Sequence, residues 1–176
     1  KIIDNLIILS FENQVIEYDI AYEKIEEISS KYGLSSGLLD DLVSEGLLTQ
    51  NFQYNYETKE HHETVYFIYE RFEDHLKVKY LLEQFLDKDN PKESFEKEPL
   101  CSYLENDKMY YNRGVIDAIS IQLPEVCNVE LIDMTDQNQV LIDSFFDSLL
   151  WRKVDSISQN TVDRILRNIE NPYNKK

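Results

Sequence analysis

Chain breakers are scarce in this sequence: four Gly and four Pro in 176 residues. These two residue types supply the tight turns and positive-φ corners that a many-stranded β protein needs. So few leave little material for long loops or a turn-rich β-sandwich, and helix is expected to dominate. The length suits one large domain or two small ones. Hydrophobic residues at 42% can fill a core, and a 12% aromatic share argues against disorder.

Apolar spacing places the elements. Residues 4 to 12 hold Leu6, Ile7, Ile8, Leu9 and Phe11, a buried helix or strand that periodicity alone leaves open. Tyr18, Ala21, Ile25, Ile28 and Tyr32 recur three and four apart, with Glu23, Lys24, Glu26 and Glu27 between them. That is an amphipathic helix, and Gly33 sits where a C-terminal αL residue belongs. Ser35 or Ser36 is expected to cap the next helix, which packs through Leu38, Leu39, Leu42 and Val43 and stops at Gly46. Residues 47 to 56 alternate as a strand, 57 to 63 are polar, and 64 to 70 read as a second strand. Three short helices followed by a two-stranded ribbon is the order of a winged helix.

The next helix spans residues 72 to 86, with Leu76, Tyr80, Leu81 and Phe85 on one side. Residues 87 to 99, DKDNPKESFEKEP, are charged, hold two prolines and make the best boundary in the chain. Beyond it, Asn112 opens a helix through Val115, Ile116, Ile119 and Leu123, which Pro124 is expected to end. Ile142, Phe145, Phe146, Leu149 and Leu150 form the cleanest helical stripe. Val162, Ile165, Leu166 and Ile169 make a last helix before Pro172. No internal repeat of fixed period is visible. The expected fold is mainly α with a small β-ribbon. A winged-helix domain over residues 1–88 precedes a helical, repeat-like segment over 89–176, read as the start of a longer array running past Lys176.

Charge narrows the function. Eighteen basic residues against 34 acidic ones give a net −16, which repels phosphate backbones and anionic lipid headgroups. Neither nucleic acid nor membrane is an expected partner. The longest apolar runs, such as residues 6 to 9, are too short to span a bilayer, and nothing resembles a signal peptide. Cys101 and Cys127 are no disulfide framework; free, mostly buried thiols in a reducing, cytoplasmic setting are expected. The helix expected to read DNA, residues 35 to 46, carries Asp40, Asp41 and Glu45 and no Lys or Arg. Groove recognition needs basic or amide side chains, so a protein-facing use of the fold is favoured.

Catalytic constellations are missing. His61 and His62 are adjacent and point to opposite faces of any strand; a solvated wing tip is expected, not a zinc site. Asp74 and His75 are also neighbours, about 100° apart on a helix, and no activated serine accompanies them. There is no Gly-x-x-x-x-Gly-Lys and no Gly-x-Gly-x-x-Gly. No enzyme activity, catalytic residue, metal or cofactor is expected of this chain alone.

One stretch carries a resemblance. Phe67-Ile68-Tyr69-Glu70-Arg71-Phe72-Glu73-Asp74-His75-Leu76 resembles the strand-to-helix junction that closes the winged-helix domain of NACHT-type STAND NTPases. The family pattern reads roughly Phe-x-His-x-x-Phe-x-Glu-Phe-Leu, and the form here is closer still to the large bacterial antiviral STAND ATPases. YYNRGVIDAISIQLPEVCNVELIDM, residues 110 to 134, and DSLLWR, residues 147 to 152, are similar to segments that follow in those proteins. The likeness covers about residues 47 to 152. It implies a winged helix plus the first helices of a C-terminal sensor, with the nucleotide-binding domain upstream of Lys1 and an effector domain further upstream. It implies a parent that binds ADP at rest, takes ATP and Mg, and oligomerises after recognising a viral protein.

In the family pattern the His senses the nucleotide's β-phosphate, and Tyr69 stands at that position here. Tyrosine donates one hydrogen bond but is uncharged at neutral pH, while Arg71 has the charge but not the family's sensor position. Tyr69, Glu70 and Arg71 are therefore the candidate nucleotide-sensing or interdomain residues. Strand alternation puts Tyr69 on the side of Phe67 and Val65, with Tyr66 and Ile68 opposite. Asp74 and His75 then become packed helix residues. A free-standing acidic winged-helix adaptor that binds other proteins is the alternative reading.

Overall fold

The computed structural model describes residues 2–12, 15–56, 59–105, 107–135 and 138–170. Two compact units emerge, Lys1–Leu76 and Lys77–Lys176. The division falls inside a helix, earlier than the 88/89 boundary that the charged segment suggests. Among the described residues there are eight α-helices and one three-stranded antiparallel sheet, so the fold is mainly α with a small β-ribbon.

The first unit holds α1 (Ile2–Glu12), β1 (Ile16–Glu17), α2 (Tyr18–Tyr32), α3 (Leu38–Ser44), β2 (Leu48–Asn55) and β3 (Glu60–Phe67). Residues 2–12 settle as helix, with Leu6 and Ile7 buried. β1 escapes a reading by periodicity because two residues carry no period. It pairs antiparallel with β3, Ile16 opposite Val65, and gives the sheet order β1-β3-β2. Helices and strands thus follow the order the sequence predicts, with β1 added at the margin of the ribbon.

α2 packs against α1, α3 and β3 through Ala21, Ile25 and Ile28, the stripe its spacing predicts. It ends as expected at Gly33 in the αL conformation (φ 66°), whose N–H returns to the carbonyls of Ser29 and Ser30. Leu39, Leu48, Val65 and Phe67 complete the core.

The start of α3 differs from expectation. Neither Ser35 nor Ser36 caps it; Gly37, at φ 80°, is the N-cap and makes no side-chain cap bond. Its own N–H donates to Glu26 Oε1 of α2 at 2.8 Å, so a carboxylate from the neighbouring helix holds the entry to α3. The second strand also begins earlier than predicted, at Glu60 rather than Thr64. Cross-strand pairing with β2 extends structure over residues whose composition reads as loop. His61 and His62 therefore lie within β3, opposite Tyr54 and Gln53, with His61 exposed and His62 half-buried.

Helix α4 (Glu70–Phe85) crosses the division between the units. The second unit continues with α5 (Pro91–Phe95), α6 (Arg113–Cys127), α7 (Gln139–Ser148) and α8 (Gln159–Glu170), joined by short 3₁₀ turns. The charged 87–99 segment is not bare linker: α5 starts with Pro at its first position and buries Phe95.

Pro124 does not end α6, which runs to Cys127 and closes at Asn128 in αL (φ 58°). Proline removes its own N–H and constrains the residue before it, yet leaves the following residues free to stay helical. The α7 stripe is rotated from the predicted one. Its buried face is Leu141, Ser144, Phe145 and Ser148, and Leu150 is exposed. Ser144 and Ser148 can face inward there because each hydroxyl finds an acceptor, Asp117 Oδ1 and the Phe145 carbonyl. On α8, Val162, Leu166 and Ile169 are exposed, not buried. Pro172 lies outside the described residues.

Candidate functional site

The corner between β3 and α4 is where the candidate residues fall. β3 stops at Phe67, which is buried, and Ile68 makes one further bond, its N–H donating to the Leu47 carbonyl at 3.3 Å. Tyr69 belongs to neither element. Its carbonyl accepts the N–H groups of Phe72 and Glu73 (3.0 and 3.1 Å), so its backbone opens α4 while its side chain is 63% exposed. Strand alternation thus fails at Tyr69, because the strand has already ended. Val65 and Phe67 are buried and Tyr69 does not join them. Glu70 and Arg71, in the first turn of α4, are exposed as well.

Below the corner, Phe67 meets Phe72 edge to face at 6.1 Å between centroids. Tyr66, Ile68, Tyr69 and Phe72, all near the junction, are each exposed. Tyr69, Glu70 and Arg71 are thus all exposed, close in sequence to the buried Phe67. Asp74 and His75 are half-buried on α4. Among the described residues no group of three or more His, Cys, Asp or Glu is placed to hold a metal ion.

The acidic helix uses part of its charge internally. Tyr18 donates its hydroxyl to Asp40 Oδ1 at 2.5 Å, tying α2 to α3. That hydrogen bond, with burial and the Asp40 charge behind it, pushes the Tyr18 phenol up to about 12. Asp40 and Asp41 remain exposed, and no cation on α3 offsets them. A hollow of about 190 Å³ beside the ribbon is lined by Val15, Glu17, Gln53, Tyr54, His62 and Thr64, with His62 Nδ1 3.7 Å from Glu17 Oε1.

The second unit holds a charge cluster that periodicity does not reveal. Arg152 donates two hydrogen bonds to Glu130, at 2.7 and 3.2 Å, and both residues are buried. Thr161, also buried, donates to Glu130 Oε1 at 2.5 Å and joins α8 to the pair. The Arg152 and Arg164 guanidinium carbons each lie 5.9 Å from the Phe145 ring centre, and Arg164 pairs with Asp133. The available signal was a charged residue inside an apolar run, Val129-Glu130-Leu131, and another closing one, Leu149-Leu150-Trp151-Arg152. Cys101 and Cys127 are free thiols, half-buried rather than fully buried; burial is the main force pushing the Cys127 thiol up. No helix among the described residues is long and apolar enough to cross a membrane.

Comparison of the chain with protein-family models, curated proteins and solved structures gives no match in any of the three. The NACHT resemblance therefore rests on its motif residues alone.

Proposed function

We propose that this chain is a non-catalytic winged-helix and helical module of a larger bacterial STAND-type signalling ATPase in antiviral defence. In that reading it couples the nucleotide state of an upstream ATP/ADP- and Mg-binding domain to a helical region that senses a viral protein. The observation that supports it most is the β3–α4 corner. Four large apolar side chains, Tyr66, Ile68, Tyr69 and Phe72, stay exposed within seven residues, a local concentration of exposed apolar groups that suits a contact site. The motif resemblance puts the nucleotide-binding domain at that same corner.

Three substitutions test the reading. Tyr69→Phe and Arg71→Ala should leave the chain folded, with melting curves close to wild type, while changing resting-state signalling of the full parent. An interdomain hydrogen bond contributes about 0.5–1.5 kcal/mol, or about 1.5–3 when a charge takes part, enough to shift a two-state switch several-fold. Phe67→Ala, by contrast, should destabilise the chain itself by about 3–5 kcal/mol. Equal loss of fold in all three would make the corner ordinary core. Sequencing the gene upstream of Lys1 is the complementary check, since the reading requires a Gly-x-x-x-x-Gly-Lys-Ser/Thr loop there.

A further inference from the structure

β2 is an outer strand: among the described residues only β3 pairs with it, in the order β1-β3-β2. At the other margin β1 is two residues long and offers little edge, whereas β2 runs eight. Its register with β3 is unbroken from Leu48↔Phe67 to Asn55↔Glu60, without a bulge. Its sequence, LTQNFQYN, holds no Pro and no charge. Charges, prolines, bulges and short length are the devices that keep edges from pairing, and β2 has none of them. From Gln50 to Tyr54 every residue is exposed, Phe52 at 67%.

One hydrogen bond shows which backbone groups point outward. The Phe52 N–H donates to Asn51 Oδ1 at 2.8 Å, whereas the Asn51 carbonyl faces β3 and accepts from Thr64 Oγ1 at 3.1 Å. In an antiparallel pair inward and outward residues alternate, so Gln50, Phe52 and Tyr54 present their backbone groups to the open edge. The Asn51 side-chain oxygen stands where the carbonyl of an added strand would bind.

The surroundings decide what such a strand would carry. Phe52, Tyr54, His61 and Glu63 share one face of the ribbon, with Tyr54 edge-on to His61 (5.2 Å) and to Tyr56 (5.0 Å). β2 and β3 hold two carboxylates, Glu60 and Glu63, and no Lys or Arg. Residues 1–76 as a whole carry 5 Lys or Arg against 16 Asp or Glu. Ring faces and carboxylates both attract cations. The same excess of negative charge repels a second copy of this edge.

We propose that the outer edge of β2 captures an extended protein segment with Lys or Arg at alternate positions, which adds to the sheet as a fourth strand. Its backbone bonds to Gln50, Phe52 and Tyr54, and its cationic side chains lie over the rings and Glu63. This surface is separate from the β3–α4 corner and does not depend on the STAND reading.

Fluorescence anisotropy with the whole chain and a labelled peptide of alternating Lys and Val tests it, against a Glu-Val peptide of equal length. The Lys peptide should bind at least about tenfold more tightly and protect the Phe52 and Tyr54 amides from hydrogen exchange. Phe52→Pro removes an outward N–H without touching the ladder and should abolish binding. Asn51→Ala removes the side chain competing for that N–H and should tighten binding by about threefold, a gain that remains measurable if Phe52→Pro fails to fold. Equal binding of the two peptides, no change in Asn51→Ala, or self-association of the chain through β2 would overturn the proposal.

Discussion

The two units handle charge in opposite ways. Residues 1–76 have 5 basic and 16 acidic residues and keep the carboxylates out of the core; the polar side chains buried there are Ser29 and Thr64. Residues 77–176 are closer to balance, 13 against 18, yet bury Glu130, Arg152, Thr161 and five serines. An apolar core with an acidic shell holds the first unit; a hydrogen-bonded charge cluster stitches the second. The difference separates shape from specificity. Apolar burial is non-directional, whereas Glu130 is satisfied only when Arg152 and Thr161 reach it together.

The largest effect that could break this contrast lies at that cluster. Arg152→Ala leaves Glu130 buried without its cation and should cost about 3–5 kcal/mol in urea unfolding. Replacing both partners, Arg152→Met with Glu130→Leu, should recover most of the loss, because the desolvation cost goes along with the attraction. If the double variant is as unstable as the single one, packing by the Arg152 stem and not charge pairing holds the unit, and the contrast fails.

Legibility followed the same division. α2 was readable because its core is a plain apolar stripe, and Gly33 marks its end through a backbone requirement local to that residue. α7 was misread because Ser144 and Ser148 face inward: Ser144 donates to Asp117 Oδ1 at 2.5 Å and Ser148 to the Phe145 carbonyl at 2.7 Å. Bonds like Ser144–Asp117, spanning 27 residues, leave no periodic trace. β1 and the early part of β3 were invisible because pairing, not propensity, makes them strands. At the candidate corner, the motif marked Tyr69, Glu70 and Arg71 but not the end of β3 at Phe67, which decides where Tyr69 points.

A middle-sized test sharpens the view of the second unit. Asn138 is the N-cap of α7, its Oδ1 accepting the Leu141 N–H at 3.0 Å. Asn138→Ala should cost about 1 kcal/mol, within the usual range for a lost cap. Asn138→Asp should retain most of that stability, since the carboxylate still accepts and suits a helix N-terminus. Thermal melts of the three proteins distinguish a cap from a residue that merely fills space.

The smallest effect belongs to the first unit, where one tyrosine joins α2 to α3. Tyr18 in the folded chain keeps its proton to about pH 12, against an ordinary 10.0, because the neutral hydroxyl donates to Asp40. Its stabilising share is therefore fully present below the unfolded value and is lost as pH rises through about 12. Lys97 and Lys108 in the second unit are also held above their ordinary values by Glu93 and Glu105, so stability falls there in alkali too. Only the difference between wild type and Tyr18→Phe isolates the link. The pair is solvent-exposed, so the variant should lose only about 0.5 kcal/mol at neutral pH. That gap should close as the phenol ionises, and wild type and variant should then unfold alike. A gap that persists above about pH 12 would show that Tyr18 contributes through its ring and not through its bond to Asp40.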